Sequence, residues 1–164
     1  MNLSNKVILV LGGTGMVGQA ISKRLKYKCK LHVALGRKAY DLRFIDKIYN
    51  AIKTYNPDLI INCAGVVGGI GANAKNPGDF CLNNTKINTN IVEVCFTNDI
   101  PLVQIGTTCS YPKYCEIPFK EEDLFNGFPE ETNAAYGISK RANLILLDAL
   151  HKQYGYDYWY LIPT

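Results

Sequence analysis

Histidine and tryptophan are nearly missing from this chain: its 164 residues include two His and one Trp. Six cysteines are present, at 29, 63, 81, 95, 109 and 115, but no two form a C-x-x-C pair. With His32 and His151 as the only imidazoles, no zinc or other metal centre is expected. No apolar run approaches the roughly 20 residues that span a bilayer, so no membrane partner is expected. Lys and Arg never occur more than two in a row. The formal net charge of +4 therefore marks a scattered, solvated surface rather than a nucleic-acid-binding stripe. An apolar run begins only six residues in, so no export leader is expected, and reduced thiols in the cytoplasm follow as the default. Repeats and low-complexity segments are also lacking. What is present is ordinary for one domain with a real core: 48% hydrophobic and 20% charged residues.

The hydrophobic pattern alternates between two kinds of segment. Strand-length apolar segments occur at 6–11, 31–35, 59–62, 101–106 and 156–162, the first unbroken from Val7 to Leu11. A strand that carries no polar alternation is one buried on both faces. Between these runs the spacing turns helical, at 19–25, 44–55, 83–99 and 133–154. Pro57 breaks the second helix, Thr132 or Asn133 is expected to cap the last one, and Gly155 ends it. The segments 66–71 and 112–133 read as loops, the first too glycine-rich for regular structure. Strands alternating with helices predict an α/β fold with a doubly wound parallel sheet in a single domain over 1–164.

Gly12-Gly-Thr14-Gly15-Met16-Val17-Gly18 follows the first strand directly and opens the first helix. Strand, glycine turn and helix form the context in which such a motif binds a dinucleotide. Gly12 allows the tight turn, Gly15 lets a pyrophosphate approach the backbone, and Gly18 lets helix and strand pack closely. The helix start, with Thr14, Met16 and Val17, offers amide donors to the phosphates. The bland alternative is a glycine-rich turn with no ligand. The second strand ends at Gly36-Arg37-Lys38. An acidic residue there would hold the 2′-hydroxyl of NAD; a basic one suits the 2′-phosphate of NADP instead. NADP(H) is the expected cofactor, with Arg37 on the phosphate and Asp41 and Leu42 bordering the adenine side. Ala64 and Gly65, small residues at the end of the third strand, leave room for cofactor contact.

The stretch 99–140 carries the chemistry. The fourth strand ends in Thr107-Thr-Cys109, and the last helix carries Tyr136-Gly-Ile-Ser-Lys140. Tyr and Lys four apart share a helix face, and an ammonium there is expected to lower the phenol pKa. A Thr hydroxyl joining them makes a set that protonates a carbonyl oxygen while hydride moves at carbon. The bland alternatives are an exposed helix that matches by chance and, for Cys109, a buried structural thiol.

Taken together, GGTGMVG, Val66-Val-Gly-Gly-Ile-Gly-Ala-Asn73, Thr107-Thr-Cys-Ser-Tyr-Pro-Lys113, Tyr136-Gly-Ile-Ser-Lys140 and the closing Pro163-Thr164 resemble the GDP-L-fucose synthase family. That family belongs to the extended short-chain dehydrogenase/reductases. The resemblance implies a Rossmann-like fold and NADPH-dependent epimerisation and reduction of GDP-4-keto-6-deoxy-D-mannose. It assigns proton donation at C4 to Tyr136 and support of Tyr136 and the nicotinamide ribose to Lys140. It gives Thr107 the hydroxyl role and Cys109 proton exchange at C3 and C5. A related GDP-sugar, such as a 6-deoxy-heptose, and a non-catalytic NADP-binding module are the alternatives. Two departures stand out. The family's acid–base His matches neither His32 nor His151, and family members are about twice this length. The chain thus resembles an N-terminal half that lacks most of the substrate domain. The resemblance also implies a homodimer built on the helices at 83–99 and 133–154.

Overall fold

The computed structural model describes residues 2–163. At its centre is β1 (Val7–Leu11), whose residues Ile8 to Leu11 have no exposed surface. A strand with neighbours on both sides and layers above and below has no solvent-facing position, and VILVL answers that demand. β1 pairs with β2 (Leu31–Leu35) on one side and β3 (Leu59–Asn62) on the other. β4 (Leu102–Ile105) and β5 (Tyr158–Leu161) extend the sheet to the order β2-β1-β3-β4-β5, with every pairing parallel. The chain steps outward from β1 to β2 and then crosses back to β3. The strand order therefore reverses between β1 and β3, the point where open parallel sheets leave a crevice at their C-terminal edge.

The helices are shared unequally between the two faces. α1 (Met16–Leu25) covers one face, where Ile21 and Leu25 meet Ile8, Val10, Leu59 and Ile61. α2 (Ile45–Tyr55), α4 (Pro77–Thr97) and α5 (Ala134–Tyr154) cover the other, packing Ile48, Ile91 and Leu147 on Leu9, Leu11 and Leu102. Ile91 and Leu147 are fully enclosed; truncating either to Ala costs about 2–5 kcal/mol through lost contact and the cavity left behind. The thinner cover on the α1 side leaves Trp159 and Leu161 of β5 about half exposed, at 44% and 51%.

Helix ends follow the local chemistry. Asn56, in the left-handed region at φ 44, closes α2 before Pro57. Gly155 does the same for α5 at φ 72. Three expectations need correction. The glycine-rich segment expected to be a loop gives way at Ile70 to a short helix, α3 (Ile70–Lys75). α4 then begins at Pro77 rather than at 83, because Pro fits the first helical position and Asp79 complements the first turn. Asn133 does precede α5, but neither it nor Thr132 caps the helix with its side chain. Both side chains instead donate to the Glu130 carboxylate. Thr164 lies outside the described residues.

Candidate active site

The turn after β1 is built by close backbone packing. Gly12 adopts φ +71, and a Cβ there would lie 2.7 Å from Ala64 Cα. A Cβ at Gly18 would fall on the Gly12 carbonyl oxygen. These two glycines are demanded by the protein itself. Gly15 differs: a Cβ there would meet a single atom, the Gly12 oxygen at 3.3 Å. Its bare backbone faces open space. Gly15 is also the N-cap of α1 and supplies no side-chain acceptor, and the first turn holds no acidic residue. The Met16, Val17 and Gly18 amides are thus the orphan donors of a helix N-terminus, suited to an anion. Thr14 packs against Gly36, and its carbonyl accepts from Gln19 Nε2 at 2.7 Å, fixing the turn.

That turn forms one wall of a cavity of about 500 Å³ at the C-terminal edge of the sheet. Every residue that the sequence assigns to the cofactor, from Gly12 to Lys140, borders this one cavity. The segment after β3 forms its floor. Asn62 donates to Gln104 Oε1 at 2.9 Å and accepts from Ala64 N at 2.9 Å, turning the chain at Cys63. Asn84 of α4 then pins Val66 from both sides, accepting from its N–H and donating to its carbonyl at 2.9 Å each. Sequence reasoning missed Asn84; the signal was an amide sitting among the apolar positions of a helix. At the β2 end, Asp41 accepts several hydrogen bonds from Arg43, the shortest 2.6 Å, while Arg37 stands 3.7 Å away.

The second wall comes from β4 and α5. Thr107 leaves β4 in extended conformation, and its hydroxyl accepts from Cys109 N at 3.2 Å, starting a short 3₁₀ turn over Thr108–Ser110. This turn docks on α5 between Tyr136 and Lys140. A Cβ at Gly137 would fall on the Cys109 carbonyl oxygen, so only glycine permits the contact. Ser110 Oγ donates to the Gly137 carbonyl at 3.2 Å. Arg141 reaches over the turn, donating to Ser110 O at 2.5 Å and to Gly127 O at 2.7 Å.

The docking brings Thr107, Cys109 and Tyr136 together. Burial pushes the Tyr136 phenol above its ordinary pKa, the nearby Cys109 thiol adds to the rise, and the Thr107 hydroxyl works against it. Lys140 is buried, with 3% of its surface exposed. Its ammonium donates to the Ile105 carbonyl at 3.3 Å, sits over Gly65, and is pushed down to about 8 by burial, with Cys63 opposing. The expectation that Lys140 lowers the Tyr136 pKa therefore needs correction. No hydrogen bond joins the ammonium and the phenol, and desolvation decides the direction for both groups. Lys140 and Tyr136 line the cavity; Thr107 and Cys109, both partly exposed, adjoin the Tyr136 phenol. Tyr160 of β5, another residue missed from sequence, packs beneath Gly106 and donates to the Lys140 carbonyl at 3.1 Å. His151 lies in the last turn of α5, its Nδ1 2.9 Å from the Tyr156 carbonyl oxygen, and His32 lies on β2. Neither belongs to the site.

A parallel sheet reversing beside a glycine turn, with a Tyr-x-x-x-Lys helix across the crevice, defines a Rossmann-type α/β domain. The chain belongs to the NAD dependent epimerase/dehydratase family, whose model matches residues 8–164. A GDP-L-fucose synthase from Sinorhizobium fredii is 37% identical over 164 residues, covering 99% of this chain and 52% of that protein. Among solved structures, a GDP-L-fucose synthetase from Naegleria fowleri bound to NADP superposes with TM-score 0.85 at 31% identity, covering 99% of this chain and 54% of that one. A GDP-mannoheptose C4 reductase from Campylobacter jejuni with NADP bound gives 0.89 at 29% identity, covering 96% and 51%. The chain spans about half the length of the relatives it matches.

Proposed function

We propose that this chain is the cofactor-binding and proton-transfer half of an NADPH-dependent epimerase–reductase. Its substrate is a GDP-linked 4-keto-6-deoxy sugar, and the specific reaction is conversion of GDP-4-keto-6-deoxy-D-mannose to GDP-L-fucose. One observation carries the reading: Tyr136 and Lys140 line the same cavity as the glycine turn, with Thr107 and Cys109 docked against the Tyr136 helix. The fit to a dinucleotide is physical. The uncapped α1 terminus and the bare backbone at Gly15 suit a pyrophosphate, and Arg37 suits a 2′-phosphate.

NADPH, when bound, supplies the hydride that reduces C4. The chain's own groups handle protons. The raised pKa of Tyr136 keeps it a phenol at neutral pH, so it can give its proton to the keto oxygen. The Thr107 hydroxyl orients that oxygen, and the Lys140 ammonium donates to ribose hydroxyls. Hydrogen bonding at the C4 oxygen acidifies the C–H bonds at C3 and C5, where Cys109 exchanges protons. The likeness to a GDP-mannoheptose C4 reductase supports a second reading, a GDP-heptose reduced without epimerisation. A homodimer through the outer faces of α4 and α5 is part of the same proposal; Leu82 and Ile145 stand 54% and 57% exposed there.

The test is to incubate the chain with NADPH and GDP-4-keto-6-deoxy-D-mannose in deuterium oxide. Deuterium at C3 and C5 together with NADPH oxidation is the expected result. Oxidation without exchange supports the reductase reading. Neither exchange nor oxidation, from the chain alone and from the chain joined to the second half of a GDP-L-fucose synthase, contradicts both.

A further inference from the structure

The adenosine end of the cavity holds two guanidinium groups and one carboxylate, and they are not shared evenly. Arg43 Nε donates to both Asp41 oxygens, at 2.9 and 3.2 Å, and Nη2 donates to Oδ2 at 2.6 Å. Its Nη1 donates to Asn83 Oδ1 at 3.2 Å, and Asn83 is itself anchored by donating to the Asp79 carbonyl at 2.7 Å. Arg43 is thus held in a fork by α4 and saturates the carboxylate. Arg37, four residues before Asp41, makes one long contact of 3.7 Å with the same Oδ2 and keeps a side chain 67% exposed. The Asp41 carboxyl is held down to about 2, first by the Arg43 hydrogen bonds, with Arg37 the smallest influence. All three residues line the cavity.

We propose that Arg43 is a specificity-determining residue: by sequestering the Asp41 carboxylate it leaves the Arg37 guanidinium free to take the 2′-phosphate of NADP. The inference rests on the cofactor reading above and adds the reason why an acidic residue beside the phosphate site does not spoil it. Without Arg43, Asp41 has one cation in reach. The i, i+4 pair then closes and the phosphate site quenches itself. Asp41 left unpaired would also repel the phosphate directly, and would offer a free carboxylate to a 2′-hydroxyl, the feature that suits NAD. With Arg43 in place the three groups sum to one positive charge. With Arg43 removed they sum to zero.

The experiment compares adenosine 2′,5′-bisphosphate with 5′-ADP, and NADPH with NADH, by calorimetry on four proteins: wild type, Arg43→Met, Asp41→Asn, and the double variant. Arg43→Met is expected to weaken 2′,5′-bisphosphate and NADPH binding about ten-fold while 5′-ADP and NADH change less than about two-fold. In the double variant, removal of the carboxylate restores the loss to within about three-fold of wild type. Asp41→Asn alone holds or improves the phosphate preference. Thermal unfolding of each variant separates a charge effect from a folding defect. The double variant, which lacks an orphaned carboxylate, keeps the comparison interpretable if Arg43→Met unfolds. Undiminished phosphate preference in Arg43→Met, or no restoration in the double variant, overturns the inference alone. A wild type that binds NADH as tightly as NADPH overturns the cofactor reading, and this inference with it.

Discussion

The two walls of the cavity are made differently. The glycine wall, from Gly12 to Gly18, is backbone packed on backbone, and it is complete within one strand, one turn and one helix. The opposite wall joins side chains from β4 and α5 through the docked turn at Cys109, and it encloses an ammonium in a buried site. One wall stores stability; the other is maintained at a cost to it. The charged form of Lys140 is disfavoured by its surroundings, which is the usual sign of a site shaped for a reaction rather than for folding. The contrast predicts that damage to the backbone contacts of the first wall destabilises the fold, while damage to the second removes chemistry and leaves the fold intact or firmer.

The sharpest break concerns Tyr136. Tyr136→Phe removes the proposed proton donor and keeps the ring, so turnover is expected to fall about 10²–10⁴-fold. Its melting temperature should stay close to that of wild type, and a large drop in stability would erase the contrast between the walls. Next in size is Gly18→Ala, whose Cβ falls on the Gly12 carbonyl oxygen. Backbone cannot yield there as a flexible side chain would, and a loss of about 3 kcal/mol is expected in denaturant unfolding. Gly15→Ala sharpens the same point, because its Cβ enters the cavity. It should cost about 1 kcal/mol or less in stability while weakening NADPH binding at least about ten-fold.

The last effect has the opposite sign. Lys140→Met should stabilise the protein at pH 7, by about 1–3 kcal/mol, because a disfavoured buried charge is replaced by an apolar chain of similar length. In the fold this group titrates at about 8, against 10.5 for an ordinary lysine. Between those values the unfolded chain binds the extra proton, so wild-type stability rises with pH. The advantage of Lys140→Met is therefore expected to shrink from pH 8 to pH 10.5 in chemical unfolding followed across pH. A constant difference would mean that the ammonium is not desolvated.

The same division explains what could be read from the residues alone. β1, its turn and α1 follow from local rules: an unbroken apolar run, glycines where backbone must touch backbone, and a helix spacing after them. Tyr136 and Lys140 were legible as a helical pair, and Thr107 as the end of a strand. What the spacing could not convey was where the Lys140 ammonium points, since that depends on the Ile105 carbonyl and on burial contributed by other elements. The Gly137 contact with Cys109 and the Arg141 clasp on the turn are likewise tertiary, as is the pairing of Arg43 with Asn83 across forty positions. The early start of α4 was available in Pro77, a residue suited to a first helical position, and was masked by the glycines before it.

The central claim is that both walls face one bound dinucleotide. Hydrogen–deuterium exchange of the chain with and without NADPH tests it most directly. The account predicts protection of the amides at 15–18 together with those around 136–140. Protection of the glycine wall alone, or of neither wall, would contradict it.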